Sequence, residues 1–208
     1  EEMGVLPFYS GILCHDYYKA YYEYGSLHAL CNSHHLRELE RSIEQDNQRW
    51  SRLMKTLLIE INEMVISMGG RLEESEQKKY QRRYRTILSD GKKECPLNPK
   101  IPGKRGRTAQ SKSRNLLDRL ERHQEDALRF MKVTIVPFTN NLAERDIRMT
   151  KVHQKISGCF RSEPGARIFC RIRSYLSTAR KNAMTSIQAL TLLFSGEIPD
   201  FNKIEILR

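Results

Sequence analysis

The five cysteines, Cys14, Cys31, Cys95, Cys159 and Cys170, form no CxxC pair and no regular framework. An odd, irregular set without a signal peptide excludes a disulfide scaffold and reads as reduced thiols in a cytoplasmic protein. No apolar run approaches the roughly 18 residues that a membrane-spanning helix needs. Internal repeats and low-complexity tracts are missing as well, which argues against a solenoid or a disordered array. Net acidity is absent: 36 lysines and arginines face 25 acids, a formal net charge of +11. That sign suits a polyanion such as nucleic acid, although a solubilising excess would give the same number. What is present is a 208-residue chain that is 39% hydrophobic, enough to bury a core in one large domain or in a domain with a sizeable insertion.

The pattern begins as α/β. "GILCHD", 11–16, is a short apolar run closed by Asp16 and reads as a buried strand with a carboxylate at its C-terminal end. "YYKAYYEY", 17–24, reads as a short aromatic helix stopped by Gly25, and "LHALCN", 27–32, as a second, parallel strand. From about His35 to Met68 apolar residues recur at helical spacing until "MGG" stops them. A further helix is expected over about 73–88, ended by "SDG", then a Pro/Gly-rich loop over 91–108 and a helix over about 110–131. Two amphipathic helices, about 166–182 and 185–195, close the pattern.

The positive charge is concentrated. Residues 78–122 hold fifteen lysines and arginines against four acids, while the rest of the chain is balanced at twenty-one of each. This segment is either a solvated helical face with a loop or an insertion that touches phosphates.

"TNNLAERDIRMTKVHQK", 139–155, carries the sharpest question. Asn141 is a good helix cap and Glu144 stands three residues later, the spacing of a capping box. At ~100° per residue, Leu142, Ala143, Ile147 and Met149 fall on an expected core arc. Glu144, Arg148, Lys151 and Lys155 fall within about 60° of one another on the opposite side, with Arg145 on the flank and Asp146 among the apolar positions. A cap does not need that row. A carboxylate holding a divalent ion beside a phosphate backbone would use it. Asp16 is the natural second acid, since ligands bind at strand ends in open α/β sheets; its alternative role is to cap the next helical turn.

Four stretches together resemble the IS66 insertion-sequence family of transposases. "VPFTNNLAERDIR" is similar to the family's helix bearing the last acid of a DDE triad, and "HDYYKAYY" to the segment around the second acid. "CNSHHLREL" resembles the strand-to-helix segment after it, and "KISGCFRSEPGARIFCRIRSYLSTARKNAMTSIQAL" the C-terminal continuation. The match runs from about 11 to 194, with 45–130 alike only in helical character. Thr139 and Met149 depart from residues often found there, Asp and Pro.

The resemblance implies an α/β, mostly helical chain with a ribonuclease-H-like core, incomplete at its N-terminal side, a large helical insertion and C-terminal helices. Core strands are expected over 1–34, the basic insertion over 35–131, the catalytic and C-terminal helices over 132–195, and a tail over 196–208. Asp16 and Glu144 become catalytic, metal-ligating acids for Mg²⁺ or Mn²⁺ in a two-metal site that cuts a transposon end and joins it to target DNA. Arg145, Arg148, Lys151, Lys155, Arg161, Lys104, Arg105 and Arg107 are expected on DNA, and Cys31, His34, Asn140 and Asn141 in support. No strand with the first acid precedes Asp16, so the chain reads as the C-terminal portion of a transposase, either an active fragment or a DNA-binding remnant. The expected partners are transposon-end and target DNA, no membrane, and copies of the complete protein as a homo-oligomer, in the nucleoid of a bacterial cytoplasm.

Several residues admit plainer readings. Cys31 and His34 form a C-x-x-H that could be half of a zinc site, a support for the core, or neither. Tyr17, Tyr18, Tyr21 and Tyr22 could stack on bases or simply pack a short helix. Asp46, Asp90 and Asp126 read as surface charges, and Asp146 as an inward acid paired with an arginine.

Overall fold

The computed structural model describes residues 6–100, 103, 105–106, 108–156, 158–197, 199 and 201. The chain divides into two compact units, Glu1–Asn140 and Asn141–Arg208.

The first unit opens with the expected strands. β1 (Ile12–His15) and β2 (Leu27–Leu30) pair in parallel, Ile12 opposite Leu27 and His15 opposite Leu30. The link between them is a 3₁₀ turn, Lys19–Glu23, rather than an α-helix. It returns through Gly25 at φ 76°, where a Cβ would stand 3.3 Å from the Gly11 carbonyl oxygen; only glycine takes that conformation without cost.

Helices build the rest of this unit. The periodicity over 35–68 is divided into α1 (Asn32–Asp46) and α2 (Arg49–Ser67). Asn47 breaks it by adopting a left-handed conformation, φ 49° and ψ 39°, which asparagine tolerates better than most residues. The new N-terminus is then capped from far away. The Glu94 carboxylate accepts from the backbone N–H groups of Arg49 and of Trp50, the latter at 3.0 Å, satisfying donors that a helix start leaves open.

α3 spans Glu74–Glu94, passing straight through the expected stop at "SDG". Gly91 is there for packing. A Cβ on it would come within 2.6 Å of Leu117 Cδ1 and 2.8 Å of Trp50 Cγ, so its lack of a side chain lets three helices meet. The helix expected over 110–131 is likewise divided, into α4 (Lys112–Arg122), α5 (Gln124–Ala127) and a single 3₁₀ turn at Arg129–Met131. α4 starts where Ser111 Oγ accepts the Arg114 N–H at 3.0 Å. The break falls at His123, whose ring is engaged by Tyr22 and Asp126.

The core lies among these helices: Leu39 of α1, Trp50, Met54, Leu57, Leu58 and Ile61 of α2, Tyr80, Tyr84 and Leu88 of α3, and Leu116, Leu117 and Leu120 of α4. Its polar atoms are satisfied as burial requires. Tyr84 Oη donates to the Leu120 carbonyl at 3.0 Å, and Ser42 Oγ bonds both Ser51 Oγ (2.7 Å) and Ser113 Oγ (2.6 Å).

The second unit consists of α6 (Asn141–Ile156), α7 (Glu163–Lys181) and α8 (Ser186–Phe194). α7 begins on a Ser162 cap with proline in its first turn, and α8 on a capping box of Thr185 and Gln188. Among the described residues of this unit only Ala179 and Ala189 are buried. No described helix of the protein is long and apolar enough to cross a membrane.

Candidate metal and nucleic-acid site

Asp16 is exposed and follows directly on β1. The chain turns sharply there. Tyr17 has φ 76°, in the left-handed region, and its N–H donates to His15 Nδ1 at 3.2 Å. The Tyr18 N–H donates to Asp16 Oδ1 at 3.2 Å, the i to i+2 bond of an Asx turn. The local role considered for Asp16 is therefore a turn rather than the cap of a regular helix. It occupies one carboxylate oxygen, and Oδ2 has no hydrogen-bond partner among the described residues.

His15 itself is buried, and burial, with His28 nearby, lowers its pKa to about 4. Its ring stands 4.8 Å from Tyr22 and 5.4 Å from both Tyr21 and His28. Tyr22 Oη meets His123 Nδ1 at 3.0 Å, and burial, with Asp126 next in weight, pushes the Tyr22 hydroxyl well above its ordinary pKa. Tyr17 packs between the His123 ring, 4.9 Å away, and the Arg119 guanidinium, 5.1 Å away. Packing is thus what Tyr17, Tyr21 and Tyr22 do within this unit, whereas Tyr18 is 64% exposed. Asp126, read from sequence as a surface charge, sits in the same cluster, bonded to Arg129 Nη2 at 3.0 Å and His123 Nδ1 at 3.3 Å. Its spacing does signal this: both partners stand three residues away, His123 before it and Arg129 after it, where helical neighbours meet. Asp46 and Asp90 are exposed, the former paired with Arg41 and the latter with Lys93.

The C-x-x-H begins where β2 ends. Cys31 extends the strand pairing through its N–H to the His15 carbonyl, 2.9 Å. Its buried Sγ meets Ser33 Oγ at 3.1 Å and accepts the Asn140 N–H at 3.1 Å. Next to it, the Asn32 N–H donates to the Phe138 carbonyl at 3.0 Å, and the Asn32 side chain bonds the Ala127 carbonyl and His35 Nδ1, each at 3.0 Å. His34 lies in the first turn of α1. The segment ending at Asn140 is thus held by the cysteine and asparagine that open α1.

Asn141 is the first residue of α6 and Glu144 lies in its first turn. Arg145, Arg148, Lys151 and Lys155 are exposed, as is Arg161, and none of them pairs with an acid among the described residues. The expected core arc is not a core. Leu142 and Ile147 are each 52% exposed and Met149 is 44% exposed, and Ala143 is exposed too. α6 packs on α7 through other residues: Asp146 bonds Ser177 Oγ (2.9 Å) and Lys181 Nζ, while the His153 ring lies against Phe160 and Phe169. The inward acid is therefore real, but its cationic partner is a lysine. The hydrogen bond from Lys181 holds the Asp146 carboxyl below its usual pKa.

In the basic segment the structure reduces the apparent excess. Among the thirteen described cations of this segment, seven are ion-paired: Lys78, Lys79, Arg83, Lys92, Lys93, Arg114 and Arg119. Their partners include Glu38, Glu60, Glu74 and Glu76, from outside that segment. Arg105 is exposed, while Lys104 and Arg107 lie outside the described residues.

Compared with known families, the model of the transposase IS66 family matches residues 2–168. No curated protein and no solved structure matches the chain.

Proposed function

The chain belongs to the transposase IS66 family, and from that premise we propose that it acts as the metal-dependent catalytic domain of a DNA transposase built on a ribonuclease-H-like core. The observation that carries the reading is Asp16: an exposed carboxylate at the C-terminal end of a parallel strand, with one oxygen committed to the turn and the other uncommitted. Divalent magnesium and manganese take oxygen ligands of this kind, usually one or two carboxylates together with substrate phosphate. Asp16, in the first unit, and Glu144, in the second, are each assigned a metal-ligating role. When bound, the ions supply Lewis-acid stabilisation of phosphoryl transfer and a more acidic attacking group, first water and then a DNA 3′-hydroxyl.

The chain's own contribution is to hold the DNA. Arg145, Arg148, Lys151, Lys155 and Arg161 present uncommitted positive charge to phosphates, which positions a strand without reading its sequence. Lys104, Arg105 and Arg107 are assigned the same role. Cys31 and Asn140 fix the end of the segment that enters α6, and His34 and Asn141 are assigned to the same support. Transposon-end and target DNA are the partners, with a homo-oligomer as the working form in the bacterial nucleoid.

The uncommitted cations also favour a second reading, a DNA-binding protein without catalysis, because phosphate contacts need no metal. Glu144→Gln separates the two. Catalysis predicts that the variant loses strand transfer while keeping DNA affinity within about threefold, since it removes a metal ligand and no phosphate contact. Retained strand transfer would refute the assignment of Glu144. A wild-type protein that binds DNA equally well with and without Mg²⁺ and never cleaves it would favour the second reading.

A further inference from the structure

We propose that His15 is a positioning residue for Asp16, acting through the Tyr17 backbone; this rests on the metal-ligating role given to Asp16 above. Tyr17 stands at φ 76°, where a tyrosine is out of place. Such a conformation persists only where its surroundings over-determine it, and it is most often found at functional sites. Two devices hold it here. The Tyr17 ring is packed against His123 and under the Arg119 guanidinium. The Tyr17 N–H, which the turn removes from the strand ladder, is taken by His15 Nδ1 at 3.2 Å.

That bond fixes the state of the imidazole. An Nδ1 that accepts must carry a lone pair, so the ring proton is on Nε2, and the buried Nε2 has no hydrogen-bond partner among the described residues. His15 in turn cannot move. Its backbone is paired with β2, with its carbonyl accepting the Cys31 N–H at 2.9 Å, and its ring is boxed by Tyr21, Tyr22 and His28. The next link is the Tyr18 N–H, which orients the Asp16 carboxylate through Oδ1. A rigid strand end thus sets the peptide planes on both sides of Tyr17, and these set the direction of one carboxylate. Partners that orient a ligand in this way are typically worth about 10–100-fold in metal affinity.

The test compares two variants that lose the same ring and differ in where an acceptor remains. His15→Asn keeps an oxygen at the position of Nδ1; His15→Gln moves it one bond further out. Two quantities are read on the 208-residue chain: hydrogen exchange at the Tyr17 amide, and Mn²⁺ affinity from paramagnetic broadening of resonances near residue 16. With His15→Asn, the Tyr17 amide stays protected and Mn²⁺ affinity stays within about threefold of the starting protein. With His15→Gln, protection is lost and affinity falls by about tenfold or more. Equal losses in both variants would mean that the ring merely fills space, and unchanged affinity in His15→Gln would mean that Asp16 needs no such support; either result overturns the proposal. Asp16→Asn is the control for the underlying reading. If it binds Mn²⁺ as the starting protein does, the metal role of Asp16 falls, whatever the His15 variants show.

Discussion

At the scale of single residues, two buried imidazoles, His15 and His35, make the stability of the first unit pH-sensitive, and His35 is the more strongly shifted. His35 is 2% exposed, and its pKa is lowered to about 3 by burial first and then by the Arg119 charge, with smaller contributions from His34 and His123. In the unfolded chain the same ring titrates near its ordinary value of about 6.5. Between those values the unfolded state binds the extra proton, so stability falls as the pH drops below about 6.5. The loss from this one group is at most about 1.4 kcal/mol per pH unit. Thermal unfolding between pH 7.5 and pH 5 should show a falling midpoint, and His35→Gln should flatten the slope. A midpoint that rises on acidification, or a slope indifferent to that substitution, would show that His35 is not the buried neutral group described. None of this is visible from the C-x-x-H, whose histidine is His34; the more deeply buried ring is its neighbour, chosen by the way α1 lies on the core.

Among the elements, legibility follows how local the cause is. β1 and β2 are readable because their apolar runs sit within a few residues, and α8 begins within a residue of its expected start, whereas α7 begins at Glu163 on its Ser162 cap, three residues before the expected start. The division of α1 from α2 is not, because half of its cause is Glu94, which caps α2 from 45 positions away in sequence. Gly91 misleads for a related reason: glycine reads as a stop, but here a helix needs its missing side chain in order to lie between Trp50 and Leu117. Gly91→Ala should therefore destabilise the first unit by about 2 kcal/mol through overpacking, although alanine is the better helix former. Chemical denaturation measures this, and a stabilised variant would show that the close approach is relaxed at no cost. On α6 the hydrophobic periodicity points the wrong way. The helix docks on α7 through Asp146 and His153 and leaves Leu142 and Ile147 exposed, so a polar contact outranks the apolar arc. The candidate acids were legible as residues, Asp16 from its strand end and Glu144 from its row of cations. The turn that orients Asp16 was not, since a tyrosine at positive φ leaves no mark in the sequence.

For the whole molecule, the two units differ in how much they bury. The first surrounds Trp50, Tyr80, Tyr84 and a set of leucines, while the second buries only Ala179 and Ala189 among its described residues. Local opening free energy tracks buried apolar contact, so amides of α6, α7 and α8 should exchange at least about tenfold faster than those of α2, α3 and α4. Native-state hydrogen exchange checks this, and uniform protection across both units would refute it. Charge is the other property of the whole chain. Seven described cations of the basic segment are ion-paired, four of them with acids from outside it, whereas Arg145, Arg148, Lys151 and Lys155 of α6 pair with no acid among the described residues, which makes α6 the stronger candidate for phosphate contact. Asp16 and Glu144 are each proposed as metal ligands, and that role is open to a direct test. The most direct measurement is iron-mediated self-cleavage: Fe²⁺ replaces Mg²⁺, ascorbate and peroxide are added, and the cut positions are read by mass spectrometry. Cuts clustered around residues 16 and 144, suppressed by excess Mg²⁺ and lost in Asp16→Asn and Glu144→Gln, are the expected result. Cleavage elsewhere, or cleavage unaffected by those two substitutions, would contradict the claim.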